Sequence, residues 1–278
     1  MVRLGGIKPM PELPEMETYR MLLSELVVGR TITNTEIERV KSINTDPDAF
    51  RRRITGQAVT RVERRAKHLL FHLTGDQVLL LHLMLGGIMF FGRKERKPDR
   101  TVQVTISFGA EHLYFIGLRL GYLHLYRPEE AEQRLRKLGP DPFDPALTAE
   151  RFAALLRARS GTLKSALTDQ SVLSGIGNCY SDEICFQARL LPARKPASLS
   201  AVEWDALFRA MRELLREAVQ YGGYMEMPLF QGDALTGGFD RRCRVYDREG
   251  EPCARCGGLI ERRNVSSKKS FCCPQCQH

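Results

Sequence analysis

An α+β chain of several units is what this sequence predicts: an N-terminal antiparallel β-sandwich with flanking helices, a helical domain and a C-terminal zinc ribbon. Three observations carry the prediction. Short alternating or continuous apolar runs follow one another between residues 31 and 126, helical patterns dominate after residue 150, and six of the eight cysteines lie beyond residue 242.

Taken in order, the first element is a helix. From Pro14 the apolar residues Met16, Tyr19, Leu22, Leu23 and Leu26 recur at helical spacing, and Pro14 suits a first-turn position. The runs TITNTEIERV, AVTRVERR, HLLFHL, QVLLLHLML, TVQVTISF, HLYFIG and GYLHLY then read as strands, at least seven of them. A proline-rich linker at 139–150 ends this N-terminal domain, which spans residues 10–138. The helical domain follows at 151–241. In it, Ser200 and Glu203 form a capping-box signature that opens a helix toward Gln220, and Gly222-Gly223 stops it. The stretch SGIGN separates two helical patterns by a tight glycine turn, a helix-turn-helix arrangement. Asn178 begins the second of these helices, where it either caps the backbone or faces an anion held by the helix dipole.

The tail, residues 242–278, is too short to fold without help. Its Cys253-x2-Cys256 and Cys273-x2-Cys276 pairs have the spacing of a four-thiolate zinc ribbon, each pair forming one knuckle. Four thiolates close the coordination shell, so one Zn2+ ion is structural here. Cys272 breaks the x2 spacing and stays outside the set. The hairpin between the knuckles carries Lys268 and Lys269 near its tip, placed either for a phosphate contact or simply in solvent. Lys67 starts an apolar strand behind a basic run, with the same two readings.

Forty-two Lys and Arg against thirty-three Asp and Glu give a net charge of +9 and a pI near 9.3, which favours a polyanionic partner. No apolar run is long enough to span a membrane, and the first ten residues lack the apolar core of a secretory signal, so a cytoplasmic location is expected. A further expectation concerns the start. Pro11 as numbered is an ordinary peptide residue without a nucleophilic nitrogen; if translation starts at Met10 and that methionine is removed, Pro11 exposes a secondary amine. Residues 1–9 are therefore read as a leader that is not part of the working protein.

Together, PELPEMET, RRAKHLL, DQSVLSGIGNCYSDEI and the finger GEPCARCGG…SFCCPQCQ resemble the signatures of the formamidopyrimidine-DNA glycosylase and endonuclease VIII superfamily, in that family's order, from Pro11 to Gln277. The resemblance implies a helix-two-turns-helix domain, damaged double-stranded DNA as partner, a monomer, and a bifunctional glycosylase and abasic-site lyase of base excision repair. It implies Pro11 as the nucleophile at C1′, Glu12 as general acid and base, and Lys67, Asn178 and Lys268 around the phosphates of the extruded nucleotide. His82 and Lys164 match positions near the DNA backbone and the damaged base, and Arg119 lies in the loop that meets the duplex.

Three segments depart from the family pattern. Lys268 stands where the finger usually has arginine, which keeps charge but loses the bidentate fork. Leu85 replaces a void-filling methionine. In IGLRLG, Leu118 replaces the arginine that reads the orphaned cytosine, and Leu120 replaces an aromatic wedge. An apolar wedge still suits base extrusion, while strict reading of the opposite base is not expected. A catalytically silent DNA-binding protein with a blocked N-terminus is the alternative reading, and a zinc-ribbon protein of transcription or translation would leave PELPE unexplained.

Overall fold

The structure, a computed structural model, describes residues 10–278; the expected leader at 1–9 lies outside them. The chain divides into two compact units. One holds residues 15–136 and 225–238 with the chain up to Pro11, and the other holds residues 12–14, 137–224 and 239–278.

In the first unit, helix α1 (Leu13–Val27) is followed by β1 (Asn34–Ile37), α2 (Pro47–Ile54), β2 (Val59–Arg65), β3 (His68–Leu73), β4 (Gln77–His82), β5 (Ile88–Arg93), β6 (Val102–Phe108), β7 (Glu111–Ile116), β8 (Tyr122–Tyr126) and α3 (Pro128–Leu135). Two four-stranded antiparallel sheets result, in the orders β1-β6-β7-β5 and β2-β3-β4-β8. Residues two apart along the strands share one face, so Leu69, Phe71 and Leu73 of β3 meet Val104, Ile106 and Phe108 of β6 in a single core. Met16, Tyr19, Leu23 and Val27 of α1 and Phe50 and Ile54 of α2 join the same core. The seven strand runs read from sequence are all present. Strand β5 is the addition. It lacks alternation because both its faces are covered: Met89 and Phe91 enter the main core, while Ile88 packs with Val102, Tyr114 and Ile116 in a second cluster.

Residues 225–238 pack with the sheets although they are bracketed in sequence by helix and finger. Leu229 is fully buried in the main core, its carbonyl accepts from Phe91 N, and Tyr19 OH donates to the carbonyl of Met227. The Asp233 carboxylate folds the turn by accepting from the backbone N–H groups of Leu229, Leu235 and Thr236 and from the Thr236 hydroxyl.

Two loops of this unit press backbone on backbone. A Cβ at Gly117, where φ is +73°, would lie 2.3 Å from the carbonyl oxygen of Gly86, and one at Gly121 would lie 2.4 Å from that of His82. Only glycine allows this approach. The loops at 83–87 and 117–121 are thereby held against each other, with Leu85 and Leu120 exposed on them.

The second unit contains α4 (Ala149–Arg157), α5 (Leu163–Thr168), α6 (Asn178–Gln187), α7 (Ala201–Gln220) and the hairpin β9 (Glu261–Val265) with β10 (Lys268–Cys272). The expected capping box opens α7: Ser200 Oγ accepts from Glu203 N, and the Glu203 carboxylate accepts from Ser200 N. Gly222 and Gly223 take left-handed φ of 73° and 72° at its end. Every residue of α6 from Cys179 to Phe186 is buried, as expected of a helix enclosed on all sides. The finger shares this unit with the helices. Among the described residues no helix is long and apolar enough to cross a membrane.

Candidate active site and metal centre

The sulfur atoms of Cys253, Cys256, Cys273 and Cys276 lie within 4.8 Å of one another. A zinc–sulfur bond of about 2.3 Å in a tetrahedron separates sulfurs by about 3.8 Å. The Cys253–Cys276 and Cys256–Cys273 separations are 3.7 and 3.4 Å. Number, donor type and spacing fit one structural Zn2+ ion, and Cys272, though buried beside Cys273, is outside the group. The first knuckle is tightened by its own backbone, Cys253 N donating to Gly258 O and Gly257 N to Cys253 O, and the second by the Gln277 side chain, whose Oε1 accepts from Cys273 N while its Nε2 donates to Leu190 O.

Around α6, three buried carboxylates do separate work. Glu12, 2% exposed, accepts from Gly177 N at 2.5 Å and Cys179 N at 2.9 Å. It therefore sits on the free N–H groups of the helix N-terminus, a position that favours an anion. Leu13 N donates to Gly175 O, and at Gly175, with φ of +98°, a Cβ would strike the Leu13 side chain, so the close turn fixes Glu12 onto the helix. Asp182 accepts from Lys164 Nζ at 2.6 Å, Ser270 Oγ at 2.6 Å and Phe271 N at 2.9 Å. Burial pushes its carboxyl up to about 6, against the pull of those three donors. Glu183 accepts from the backbone N–H groups of Arg244, Val245 and Tyr246; burial raises its pKa and the three donors oppose the rise.

Sequence reading gave Asp182 and Glu183 no role. Adjacent acids in a helix look like a solvated face, and only their enclosure shows otherwise. Lys164 differs from its expected position beside DNA in one respect: it is fully buried, and its ammonium donates to Asn178 O, Ser181 Oγ and Asp182. Its charge is used inside the unit. Asn178 is the first residue of α6, with Gly177 rather than Asn178 as the cap, and its Oδ1 is buried without a partner among the described residues. Lys268 opens β10 just after a turn in which Ser266 and Ser267 have φ of 51° and 62°, and its Nζ donates to Thr168 Oγ1 at the end of α5. Burial lowers its pKa, with Lys164 as the next cause.

In the first unit, Pro11 is buried, and in this chain its nitrogen is in the peptide bond with Met10. Lys67 follows Ala66, whose φ of 55° makes the tight turn between β2 and β3; Arg64 holds that turn by donating to Ala66 O and to Glu17 of α1 at 2.6 Å. His82 stacks on His68 with ring centroids 4.1 Å apart. Burial, then the neighbouring His68 and Lys67, push His82 down to about 3, so it is a neutral hydrogen-bonding group at pH 7.

The loop at 117–121 corrects one expectation. Leu118 is 0% exposed and belongs to the sheet core, so it offers no apolar face outward. Its N–H donates to Gln103 and its carbonyl accepts from Arg39 and Ser42, which anchors the loop. Arg119 and Leu120 are exposed, Leu120 at 65% and Leu85 of the facing loop at 43%. A groove of about 630 Å³ between Ile88, Phe90, Met227, Phe230 and Asp233 contains none of the residues singled out from sequence.

Comparison with known proteins agrees with this arrangement. Residues 10–122 match the formamidopyrimidine-DNA glycosylase N-terminal domain, 138–227 the formamidopyrimidine-DNA glycosylase H2TH domain, and 250–278 the zinc finger found in FPG and IleRS. The formamidopyrimidine-DNA glycosylase of Geobacillus kaustophilus is 39% identical over 96% of this chain and 100% of its own length. That of Carboxydothermus hydrogenoformans is 33% identical at the same coverage of both chains. Lactococcus lactis Fpg in complex with abasic-site DNA superposes with a TM-score of 0.90 at 27% identity, covering 96% of this chain and 99% of that one. The wild-type Lactococcus protein with DNA containing N7-benzyl-Fapy-dG gives 0.89 at 27% identity, with 96% and 100% covered.

The buried pair gives a pH-dependent prediction. In Lys164→Met, Asp182 loses its cation and its folded pKa rises further above the unfolded value of about 3.9. For such an acid the stability contribution is complete below the unfolded pKa and is lost as pH rises through the folded one. Denaturant unfolding of the zinc-loaded protein is expected to show a deficit of about 3–5 kcal/mol at pH 8 and a smaller one at pH 6. Equal deficits at the two pH values would contradict the pairing.

Proposed function

This chain belongs to the formamidopyrimidine-DNA glycosylase family, and we propose that it excises oxidised bases from double-stranded DNA and then cleaves the strand at the abasic site. The observation that carries this reading is the buried Glu12 carboxylate, set on the N-terminus of α6 and directly following Pro11. An acid so placed, next in the chain to a proline, provides a proton acceptor and donor beside an amine once Pro11 is the first residue.

In this reading the Pro11 nitrogen attacks C1′ of the damaged nucleotide, the C1′–base bond breaks, and the base leaves with a proton. The sugar ring oxygen takes a proton and the ring opens, leaving an iminium joined to Pro11. A secondary amine suits the task because its condensation product is necessarily cationic and draws electrons from the adjacent C–H bond. Loss of the C2′ proton then expels the 3′ phosphate, and hydrolysis frees Pro11. Glu12 carries the protons at the sugar. Lys67, Asn178 and Lys268 hold phosphates, with neutral His82 as a hydrogen-bonding rather than charged contact. Leu85 and Leu120 enter the space left by the extruded nucleotide, and Arg119 lies beside them. Lys164 acts from within, through Asp182 and Asn178, and Leu118 as the anchor of the loop.

The nucleophile is tested with two versions of the protein. One begins at Pro11 and one retains residues 1–10. Borohydride is expected to trap a covalent adduct with abasic-site DNA only in the first; efficient trapping by the second would remove Pro11 from the role.

Burial of Leu118 generates a second expectation. A bidentate arginine contact to the orphaned base contributes ~1–3 kcal/mol of discrimination, which this loop lacks at position 118. Single-turnover excision of a formamidopyrimidine lesion is therefore expected to vary less than about tenfold among the four opposing bases. A strong preference for cytosine over adenine would show that another residue reads that base.

A further inference from the structure

We propose that Arg255, between the two ligands of the first knuckle, is the positioning residue of the zinc centre, neutralising the Cys276 thiolate and fastening the knuckle to the C-terminal end of α6. Three contacts meet on its side chain. Nη1 lies 3.6 Å from Cys276 Sγ, Nη2 donates to the carbonyl of Phe186 at 3.0 Å, and the guanidinium carbon stands 4.1 Å from the centroid of the Phe186 ring.

Each contact answers a different need. Four thiolates around a divalent ion leave a net negative charge on the sulfurs, and an N–H···S bond from a cation lessens it. The Phe186 carbonyl belongs to the last turn of α6, where backbone acceptors outnumber helical donors and a cation is favoured. The Phe186 ring, 2% exposed, packs with Cys253, Cys273 and Phe271 in the small core under the finger, and the planar guanidinium covers it. Only arginine satisfies all three at once, because lysine has neither the flat face nor two divergent donors. The ligand cysteine of one knuckle, the backbone of the other and the end of α6 are thus joined through one side chain. This inference concerns the metal centre and stands apart from the assignment of Pro11 and Glu12.

The test uses the full zinc-loaded chain and its Arg255→Gln and Arg255→Lys variants. Zinc transfer to a chromogenic chelator is expected to be about tenfold faster in Arg255→Gln, at the low end of the usual effect of outer-shell partners because the arginine is exposed, with Arg255→Lys between it and the wild type. In cobalt-substituted protein, the sulfur-to-cobalt charge-transfer band of Arg255→Gln is expected to shift while the ligand-field bands of the tetrahedral site stay in place. Release indistinguishable from wild type, or an unmoved charge-transfer band, overturns the proposal. Altered ligand-field bands also overturn it, since the residue would then be building the knuckle rather than acting through Cys276.

Discussion

A carboxylate buried in a protein interior must find donors, and helix α6 buries two in succession. Asp182 and Glu183 are both 0% exposed, and nearly all their donors come from the C-terminal segment: Ser270 and Phe271 for one, Arg244, Val245 and Tyr246 for the other. Charged hydrogen bonds contribute about 1.5–3 kcal/mol each, and a buried carboxylate stripped of them is a large penalty. The docked finger is therefore a condition for the helix, and the helix for the finger. The same helix presents its N-terminus to Glu12, so one element holds the metal-bound tail at its far end and the candidate acid at its beginning. Lys164 ties the two by reaching both the Asn178 carbonyl and Asp182.

The sheet unit meets its own requirement by different means. Its exposed leucines stand on loops packed backbone against backbone, with glycine against carbonyl at 117 and 121 and Leu118 sunk in the core. The stacked, neutral His82 and the Lys67 turn lie in the same unit, with Arg64 and Glu17 bracing the turn.

Periodicity and spacing made much of this legible. The helix from Pro14, the seven strand runs, the capping box at Ser200 and the four zinc ligands all follow from local chemistry that acts within a few residues of chain. Strand β5 escaped because it is covered on both faces and so shows no alternation. The placement of residues 225–238 on the sheets escaped because it depends on single long-range contacts, Tyr19 with Met227 and Phe91 with Leu229. Resemblance alone places Lys164 and Leu118 near DNA, and residue type says nothing of the burial both of them have. Asp182 and Glu183 carried no signal, since an acid on a helix is usually solvated and only enclosure turns it into a clamp.

The central claim is that α6, through its acids, holds the finger in place. Backbone amide hydrogen exchange in zinc-loaded Glu183→Gln tests it most directly, because the substitution keeps the shape of the side chain and removes its charge. The account predicts that Arg244, Val245 and Tyr246 lose protection while zinc content and the protection of the cysteine knuckles stay unchanged. Undiminished protection at all three amides would contradict it.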